Sequence, residues 1–278
     1  MSERVALSLR RPLDSALEVE GVTADRFAAL SEREIATLPV RAGERPAALG
    51  EFFTVRGERS GRVRIEGSLA RVSGIGAGMA GGELMIDGSA GSRVCAGMTG
   101  GVAEVRGDVL DDAGLAMGGG VLHISGNAGD RLGAALPGAK QGLTSPEIVV
   151  RGSAGFDTAA RSRRGLVVVG GNAGAFAARG MFAGTLVVLG RTGRDPGLGS
   201  RLGTIIVVGR VTVPVAYWLA CSFEPPHVRL TMTYLRRRYG LVIDDAVAAG
   251  VYRRYCGNAG DQDRGEILEW VDPRGNGR

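Results

Sequence analysis

The sequence predicts an all-β protein, namely a single-stranded right-handed parallel β-helix of about eight coils with an N-terminal cap and a C-terminal tail of mixed helix and loop. Glycine accounts for 47 of 278 residues, far above its usual share of about 7%. Apolar residues make up 44% of the chain, so the chain can bury a core and is not disordered. We therefore expect the glycines at tight and frequent turns.

Eight short strands recur in the middle of the chain, and each ends at a glycine. These closing glycines are Gly67, Gly88, Gly107, Gly126, Gly152, Gly171, Gly190 and Gly209. They lie 19 residues apart, except for a first spacing of 21 and a spacing of 26 that places a seven-residue insertion near residues 136–142. A period of 19 with no helical pattern between the strands favours a β-helix whose successive coils hydrogen-bond to one another.

Side chains along a strand alternate between the two faces of a sheet. The positions two and four before each closing glycine are apolar in every coil, and they predict the interior. The outward positions are mostly polar in the first four coils and apolar in the last three. The outward residues that we assign to a candidate partner interface are Val168, Val187, Leu189, Ile206 and Val208.

An outward apolar face over three adjacent coils is too large a patch for an ordinary monomer surface. The sequence leaves two possibilities for what covers this apolar face. One is the chain's own tail from Val213 onward, and the other is a partner subunit.

The two flanks lack the repeat, which divides the chain into a cap (1–56), the β-helix (57–212) and a tail (213–278). In the cap, a short strand at residues 5–9 precedes a helical stretch at 24–39, with Thr23 as its cap and Pro39 at its end. We expect this segment to close one end of the β-helix, because an open end is an unpaired sheet edge. The tail is expected to be helix and loop lying against the coils.

Composition excludes several classes of protein. The sequence contains no stretch of about 20 uncharged apolar residues, so it predicts no transmembrane helix. The N-terminus lacks the apolar core of a secretory signal peptide. Cys95, Cys221 and Cys256 are widely separated, which fits neither a disulfide framework nor a zinc or iron–sulfur site. We expect a cytoplasmic chain that binds no metal or cofactor by itself.

Few side chains suggest catalysis. The two histidines are His123, on an outward strand position, and His227 in the tail, and neither lies in a recognisable triad. The glycines at 74–78 superficially resemble a nucleotide-binding loop, but a glycine-rich strand rather than a helix follows them. We predict that this segment is a corner of the β-helix and that the chain has no catalytic residue.

Charged residues on the outward face of the first coils fit either a catalytic groove or a solvated face. Glu66, Asp87, Glu104 and Arg106 lie on adjacent coils, as acidic and basic clusters do in the active grooves of pectin-cleaving β-helices. Alternating charges on stacked coils also stabilise a solvated face. We favour the solvated face.

Arginine clusters form the remaining candidate site. Of 34 cationic side chains only Lys140 is a lysine, and the clustered arginines are Arg161, Arg163, Arg164, Arg236, Arg237 and Arg238. They suit either a solvated surface with ion pairs to partner acids or a site for an extended polyanion, since a guanidinium binds carboxylates and phosphates in a bidentate fork. With 5% aromatic residues there is little for nucleic-acid bases to stack on, so we do not expect nucleic acid.

The glycine-punctuated coils, with segments such as MFAGTLVVLG (181–190) and MTGGVAEVRG (98–107), resemble the GXGXG β-helix domain over residues 57–210. The cap, with LSEREIATLPV (30–40) and LGEFFTVRG (49–57), resembles the C subunits of formylmethanofuran dehydrogenases, a group that also serves the bacterial formyltransferase/hydrolase complex. A glutamate synthase-type β-helix domain remains an alternative, although no flavin or iron–sulfur segment accompanies the repeat.

The resemblance implies a non-catalytic scaffold subunit. In the bacterial complex, a formyl group passes from formyl-tetrahydromethanopterin to a methanofuran-type carrier and is hydrolysed to formate, in one-carbon metabolism. The resemblance places this chemistry in amidohydrolase-like and formyltransferase-like partner chains, with no nucleic acid and no membrane involved. It also suggests that the arginine clusters hold the glutamyl arm of the carrier. The alternative setting is an archaeal-type formylmethanofuran dehydrogenase.

Overall fold

A computed structural model describes residues 4–136, 138, 146–257 and 265–273 of the chain. Strands dominate this part, as the all-β prediction requires, and five short or medium helices accompany them. The helices are α1 (Ala24–Phe27), α2 (Glu32–Ala36), α3 (Leu49–Phe52), α4 (Pro226–Tyr239) and α5 (Asp245–Ala248). The strands are β1 (Val5–Leu9), β2 (Leu17–Glu18), β3 (Pro39–Ala42), β4 (Arg45–Ala48), β5 (Phe53–Arg56), β6 (Arg62–Glu66), β7 (Val72–Ser73), β8 (Glu83–Asp87), β9 (Val102–Val105), β10 (Val121–Ile124), β11 (Glu147–Val150), β12 (Leu166–Val169), β13 (Thr185–Val188), β14 (Thr204–Val207), β15 (Trp218–Phe223), β16 (Tyr252–Cys256) and β17 (Glu266–Trp270).

A mostly parallel sheet of 13 described strands is the main feature of the fold. The strands lie in the order β15-β16-β17-β14-β13-β12-β11-β10-β9-β8-β6-β1-β5, and all neighbours from β1 and β6 through β14 to β17 pair in parallel. The register aligns equivalent residues of successive repeats, so that Ile148 pairs with Val167 and Val167 with Leu186. The fold is thus β-helix-like, with each repeat lying on the one before it.

The interior consists of the apolar rows that the alternation predicts. The inward residues of the eight repeated strands are all at most 2% exposed, namely Val63, Ile65, Leu84, Ile86, Ala103, Val105, Leu122, Ile124, Ile148, Val150, Val167, Val169, Leu186, Val188, Ile205 and Val207. They belong to one continuous core cluster. The prediction of the interior is therefore confirmed.

The turns after strands β8 to β12 use side chains to bond the neighbouring repeat. The amide oxygen of Asn172 accepts a hydrogen bond from the backbone N–H of Arg191 at 2.9 Å, and Ser153 Oγ accepts one from Asn172 at 3.0 Å. Both bonds join residues 19 positions apart. These side chains therefore join one repeat to the next. The predicted insertion at 136–142 lies mostly outside the described residues.

The N-terminal segment contributes strands to both sheets. β1 pairs in parallel with β6 and antiparallel with β5, so β5 forms that edge of the main sheet. A second sheet of four described strands has the order β4-β3-β2-β7. The N-terminal segment therefore adds an antiparallel edge strand at this end of the repeat, and Phe27, Ile35 and Leu49 of its helices join the core there.

The prediction of one helix at 24–39 is wrong, because the structure has two. Helix α1 ends at Phe27, and α2 begins after Ser31, whose hydroxyl and backbone N–H both bond to Glu34 in a capping box. These bonds stabilise a new helix start in the middle of the predicted helix. Thr23 occupies the N-cap position of α1 without a side-chain cap bond, and Pro39 begins β3.

The prediction of a helix-and-loop tail is also incomplete. The tail contains α4 and α5, but it also contains three strands that extend the main sheet. β17 pairs in parallel with β14 as a further repeat would, and β16 and β15 then add antiparallel strands. The segment at 266–270 lacks a closing glycine, so the glycine pattern did not reveal this strand.

Candidate functional site

The outward face of β6, β8 and β9 carries a network of ion pairs. Asp87 pairs with Arg64 and, at 2.9 Å, with Arg106. Arg64 also contacts Glu66 at 2.9 Å, and Arg106 lies 3.7 Å from Glu104. Because the acids are neutralised by arginines on the same or adjacent strands, this arrangement agrees with a solvated, charge-paired face rather than with a groove of free acids.

The loop at 74–78 is a turn between strands, as predicted. Gly74, Gly76 and Gly78 all have positive φ angles, of 78°, 72° and 72°. The next element along the chain is strand β8 rather than a helix, so the loop lacks the helix N-terminus that a nucleotide phosphate needs.

The outward apolar rows are covered by the chain's own tail. Val168, Val187 and Ile206 are fully buried, and they pack in one cluster with Val228, Met232 and Leu235 of α4 and with Tyr252, Leu268 and Trp270 of the tail strands. The assignment of Val168, Val187 and Ile206 to a partner interface is therefore wrong, because α4 and the tail strands occupy that face. Leu189 and Val208 are half-buried at the edge of the same cluster.

A polar and aromatic cluster lies where the C-terminal end of α4 meets β10 and β11. The rings of His123 and Tyr239 are 6.0 Å apart, Tyr234 donates a hydrogen bond of 2.9 Å to Glu147, and Arg151 donates one of 2.7 Å to the Tyr239 carbonyl. Burial lowers the pKa of His123, and Arg151 lowers it further, against a smaller opposite effect of Glu104. Burial also raises the pKa of Tyr239, with Glu147 adding to the rise.

These contacts favour neutral forms of the imidazole and both phenols near neutral pH. The cluster therefore attaches α4 to the sheet through hydrogen bonds and ring contacts. His123, which the sequence places at an outward strand position, is half-buried against the tail.

The arginines of α4 are partly engaged within the chain. Arg236 forms an ion pair of 2.5 Å with Asp245, Arg238 lies 5.7 Å from the centre of the Tyr239 ring, and Arg237 is exposed. Their position in the last turn of the helix is favourable because it opposes the negative end of the helix dipole.

The second predicted cluster, Arg161, Arg163 and Arg164, lies on an exposed loop before β12. Arg163 stacks over the ring of Phe182 at 5.0 Å. Among the described residues, no hydrogen bond, ion pair or ring contact joins this loop to the α4 arginines, so the structure does not assemble the six arginines into one site.

The sequence-based prediction did not include the arginines and phenylalanines next to this loop. Arg201 also approaches Phe182, at 6.0 Å, and Arg179 and Arg194 lie 5.3 and 4.7 Å from the centre of the Phe176 ring. The signal was present, since residues 163, 182 and 201 follow the same 19-residue spacing as the strands. The glycine pattern marks only the strand positions, so it does not draw attention to these loop residues.

Over the described ranges, no group of three or more His, Cys, Asp or Glu side chains is arranged to hold a metal ion. In that same part of the chain, no helix has the length and apolar character needed to cross a membrane.

No protein-family model matches the chain. The C subunit of the molybdenum-containing formylmethanofuran dehydrogenase 1 of Methanosarcina barkeri (strain Fusaro / DSM 804) is 37% identical over 95 residues, which is 32% of this chain and 32% of that protein. The protein of the same description from Methanothermobacter marburgensis is 36% identical over 77 residues, or 27% of this chain and 19% of that protein. These matches thus span 32% and 19% of the two relatives' own lengths.

The whole chain is similar to a solved structure. It matches a chain in the X-ray crystal structure of the formyltransferase/hydrolase complex (FhcABCD) from Methylorubrum extorquens in complex with methylofuran, with 34% identity and a TM-score of 0.88. The match covers 96% of this chain and 100% of that chain. The chain therefore belongs to the protein family of the formylmethanofuran dehydrogenase C subunits and of this chain of the formyltransferase/hydrolase complex.

Proposed function

We propose that the chain is a non-catalytic scaffold subunit of a formyltransferase/hydrolase complex. In this role it supports formyl transfer from formyl-tetrahydromethanopterin to a methanofuran-type carrier and hydrolysis to formate, in cytoplasmic one-carbon metabolism. The observation that carries the proposal is the full-length likeness to a chain of such a complex, at 34% identity and a TM-score of 0.88.

The detailed architecture belongs to the same proposal. The cap (1–56), β-helix (57–212) and tail (213–278) are its three segments, and the β-helix is right-handed with about eight coils. Side-chain hydrogen bonds between residues 19 positions apart support the proposed period, and bonds between residues 26 apart support the longer coil. Such a stack presents long, rigid outer faces, which suit a scaffold.

The proposed partners are amidohydrolase-like and formyltransferase-like chains. An archaeal-type formylmethanofuran dehydrogenase is the second candidate setting, because the partial matches at 37% and 36% identity are to C subunits of that enzyme. The first setting is favoured, because its match extends over 96% of the chain.

Native purification tests the proposal. The chain carries an affinity tag in its own host, and mass spectrometry identifies the proteins that purify with it in stoichiometric amounts. We expect amidohydrolase-like and formyltransferase-like chains. Iron–sulfur subunits in the same preparation would assign the archaeal-type setting instead, and a chain that purifies alone would overturn the scaffold role.

The carrier is proposed to bind within the assembled complex, and the six clustered arginines remain the predicted holders of its glutamyl arm. We expect the combined Arg161/163/164→Ala and Arg236/237/238→Ala changes to lower carrier retention about tenfold, because each guanidinium offers a carboxylate two hydrogen bonds. Carrier is measured by mass spectrometry of the purified complex. Arg191→Ala and Arg210→Ala, at exposed positions elsewhere, serve as controls. Equal retention in all variants would exclude the arginines.

A further inference from the structure

A stripe of exposed and half-buried arginines and phenylalanines lies on the loops between strands β11 and β14. We name it the Arg–Phe stripe and define it by Arg163, Phe176, Arg179, Phe182, Arg194 and Arg201. Backbone hydrogen bonds align the three loops, with Phe182 N–H donating to Ser162 O at 2.7 Å and Leu202 N–H donating to Phe182 O at 2.9 Å. The stripe is therefore carried on a rigid backbone rather than on independent loops.

Each phenylalanine ring of the stripe has two arginine guanidinium groups within 6.0 Å of its centre. Phe182 has Arg163 at 5.0 Å and Arg201 at 6.0 Å from its ring centre, and Phe176 has Arg179 and Arg194 at 5.3 and 4.7 Å. A guanidinium stacked on a ring keeps its N–H groups free at the edge of its plane, and its position is fixed before any partner arrives. Less side-chain entropy is then lost on binding.

The stripe has an excess of positive charge. Arg179 is paired with Asp157 at 2.6 Å, whereas Arg163, Arg194 and Arg201 form no ion pair with any described residue and are all exposed. Free guanidinium groups at fixed positions favour a surface that offers carboxylates.

Exposed apolar side chains border the same stripe. On the same loops Leu198 is 42% exposed, Leu202 54% and Phe156 42%, and Phe182 of the stripe itself is 38% exposed. Arginine and aromatic residues are enriched at the centres of protein–protein interfaces, where apolar side chains are buried beside them. A flexible polyanion or a nucleic acid would leave these leucines in water, so a folded protein surface explains the stripe better.

A second copy of the chain is a poorer occupant. Asp111 and Asp130 of the preceding loops already accept backbone N–H bonds of 2.9 Å from the next repeat, and Asp157 is bound to Arg179. A symmetric contact centred on the stripe would place free arginines against free arginines.

We propose that the Arg–Phe stripe is the docking surface for another subunit of the complex, which presents Asp or Glu side chains around an apolar centre. This inference rests on the proposed scaffold function and deepens it by naming the face that is used. The proposed contact with the other subunit lies on a different face from the outward strand rows that α4 covers.

Zero-length crosslinking of the purified complex tests the inference. Because Lys140 is the only lysine in the sequence, Arg194→Lys or Arg201→Lys introduces one new, positively charged amine on the stripe. A carbodiimide joins such an amine only to a carboxylate in direct contact, and mass spectrometry then locates the joined residues. Arg191→Lys and Arg210→Lys are matched controls at exposed positions after β13 and β14.

Charge reversal supplies the second readout. We expect Arg194→Glu/Arg201→Glu to weaken the assembly of the complex about 100-fold, since carboxylates would then face carboxylates. Arg191→Glu/Arg210→Glu should assemble as the wild type does. Dissociation constants are measured by dilution of the purified complex, and an unchanged melting temperature of the isolated chain verifies that each variant folds.

The outcomes separate the two proposals. Crosslinks from positions 194 and 201 to a partner subunit, together with loss of assembly on reversal, support the docking surface. A normal complex without such crosslinks and without an effect of reversal overturns the docking surface and leaves the scaffold role intact. Crosslinks to a second copy of this chain overturn it in favour of self-association. A chain that purifies without formyl-handling subunits overturns both.

Discussion

Leu235→Ala is expected to lower the free energy of unfolding by about 3 kcal/mol, whereas Leu230→Ala in the same helix should change it by less than about 0.5 kcal/mol. Leu235 is fully buried in the cluster that joins α4 to the outward rows of β11 to β14. Leu230 is 72% exposed. The two substitutions remove the same atoms from the same helix, so the difference between them reports packing alone.

The large effect follows from what the helix covers. Without tight packing by α4, the outward side chains Val149, Val168, Val187 and Ile206 lose their cover, and all four are fully buried in the native chain. Removal of a large side chain leaves a cavity beside them, whose cost adds to the lost transfer free energy. Urea-induced unfolding followed by circular dichroism measures both variants.

Equal destabilisation by Leu230→Ala and Leu235→Ala would contradict this account, because it would trace the effect to the helix itself. If neither variant lost stability, the tail would not be a structural part of the fold. The cover over the apolar strand rows would then have to come from a partner subunit.

The repeat made much of the fold predictable. Because equivalent residues recur at a fixed spacing, the inward rows from Val63 to Val207 could be identified before any pairing was known, and all of them are buried. β17 was missed because Glu266–Trp270 joins the sheet by tertiary pairing with β14, without the repeat's closing glycine. The helix break at Ser31 had a local signal, the Ser-x-x-Glu capping box, which the prediction of one continuous helix at 24–39 did not take into account.

The functional surface was harder to predict than the core. An apolar outward row such as Val168, Val187 and Ile206 has the same sequence pattern whether a tail or a partner covers it, and only the path of α4 decides between them. We chose charged residues that are neighbours in the sequence, such as Arg236–Arg238, as the candidate site. Residues that become neighbours only when the repeats lie on one another were not identified. Arg163 and Arg201 both lie against the Phe182 ring, although the chain separates each of these residues from the next by a whole repeat.

Gly190→Ala is expected to lower the free energy of unfolding by about 2–3 kcal/mol, whereas Gly81→Ala should leave it unchanged or raise it by about 0.5 kcal/mol. Neither glycine has a positive φ angle, so backbone strain does not distinguish them. A Cβ at Gly190 would lie 2.6 Å from the carbonyl oxygen and 2.7 Å from the carbonyl carbon of Gly171, whereas a Cβ at Gly81 would meet no atom within 4 Å.

Turning the Asn172 side chain, whose Oδ1 is the atom nearest to the added Cβ, cannot relieve the clash at Gly190, because the other two close atoms are backbone atoms of Gly171 in the preceding repeat. Gly190 N–H donates to Gly171 O at 2.9 Å, and Gly209 N–H donates to Gly190 O at 3.0 Å, so separating one pair strains the ladder on both sides. Gly190 and the other closing glycines from Gly107 to Gly209 are therefore needed for close approach between repeats, whereas Gly67 and Gly88 also have positive φ angles. Urea unfolding of the two variants tests this explanation, and a Gly190→Ala chain as stable as the Gly81→Ala chain would show that the repeats can separate at no cost.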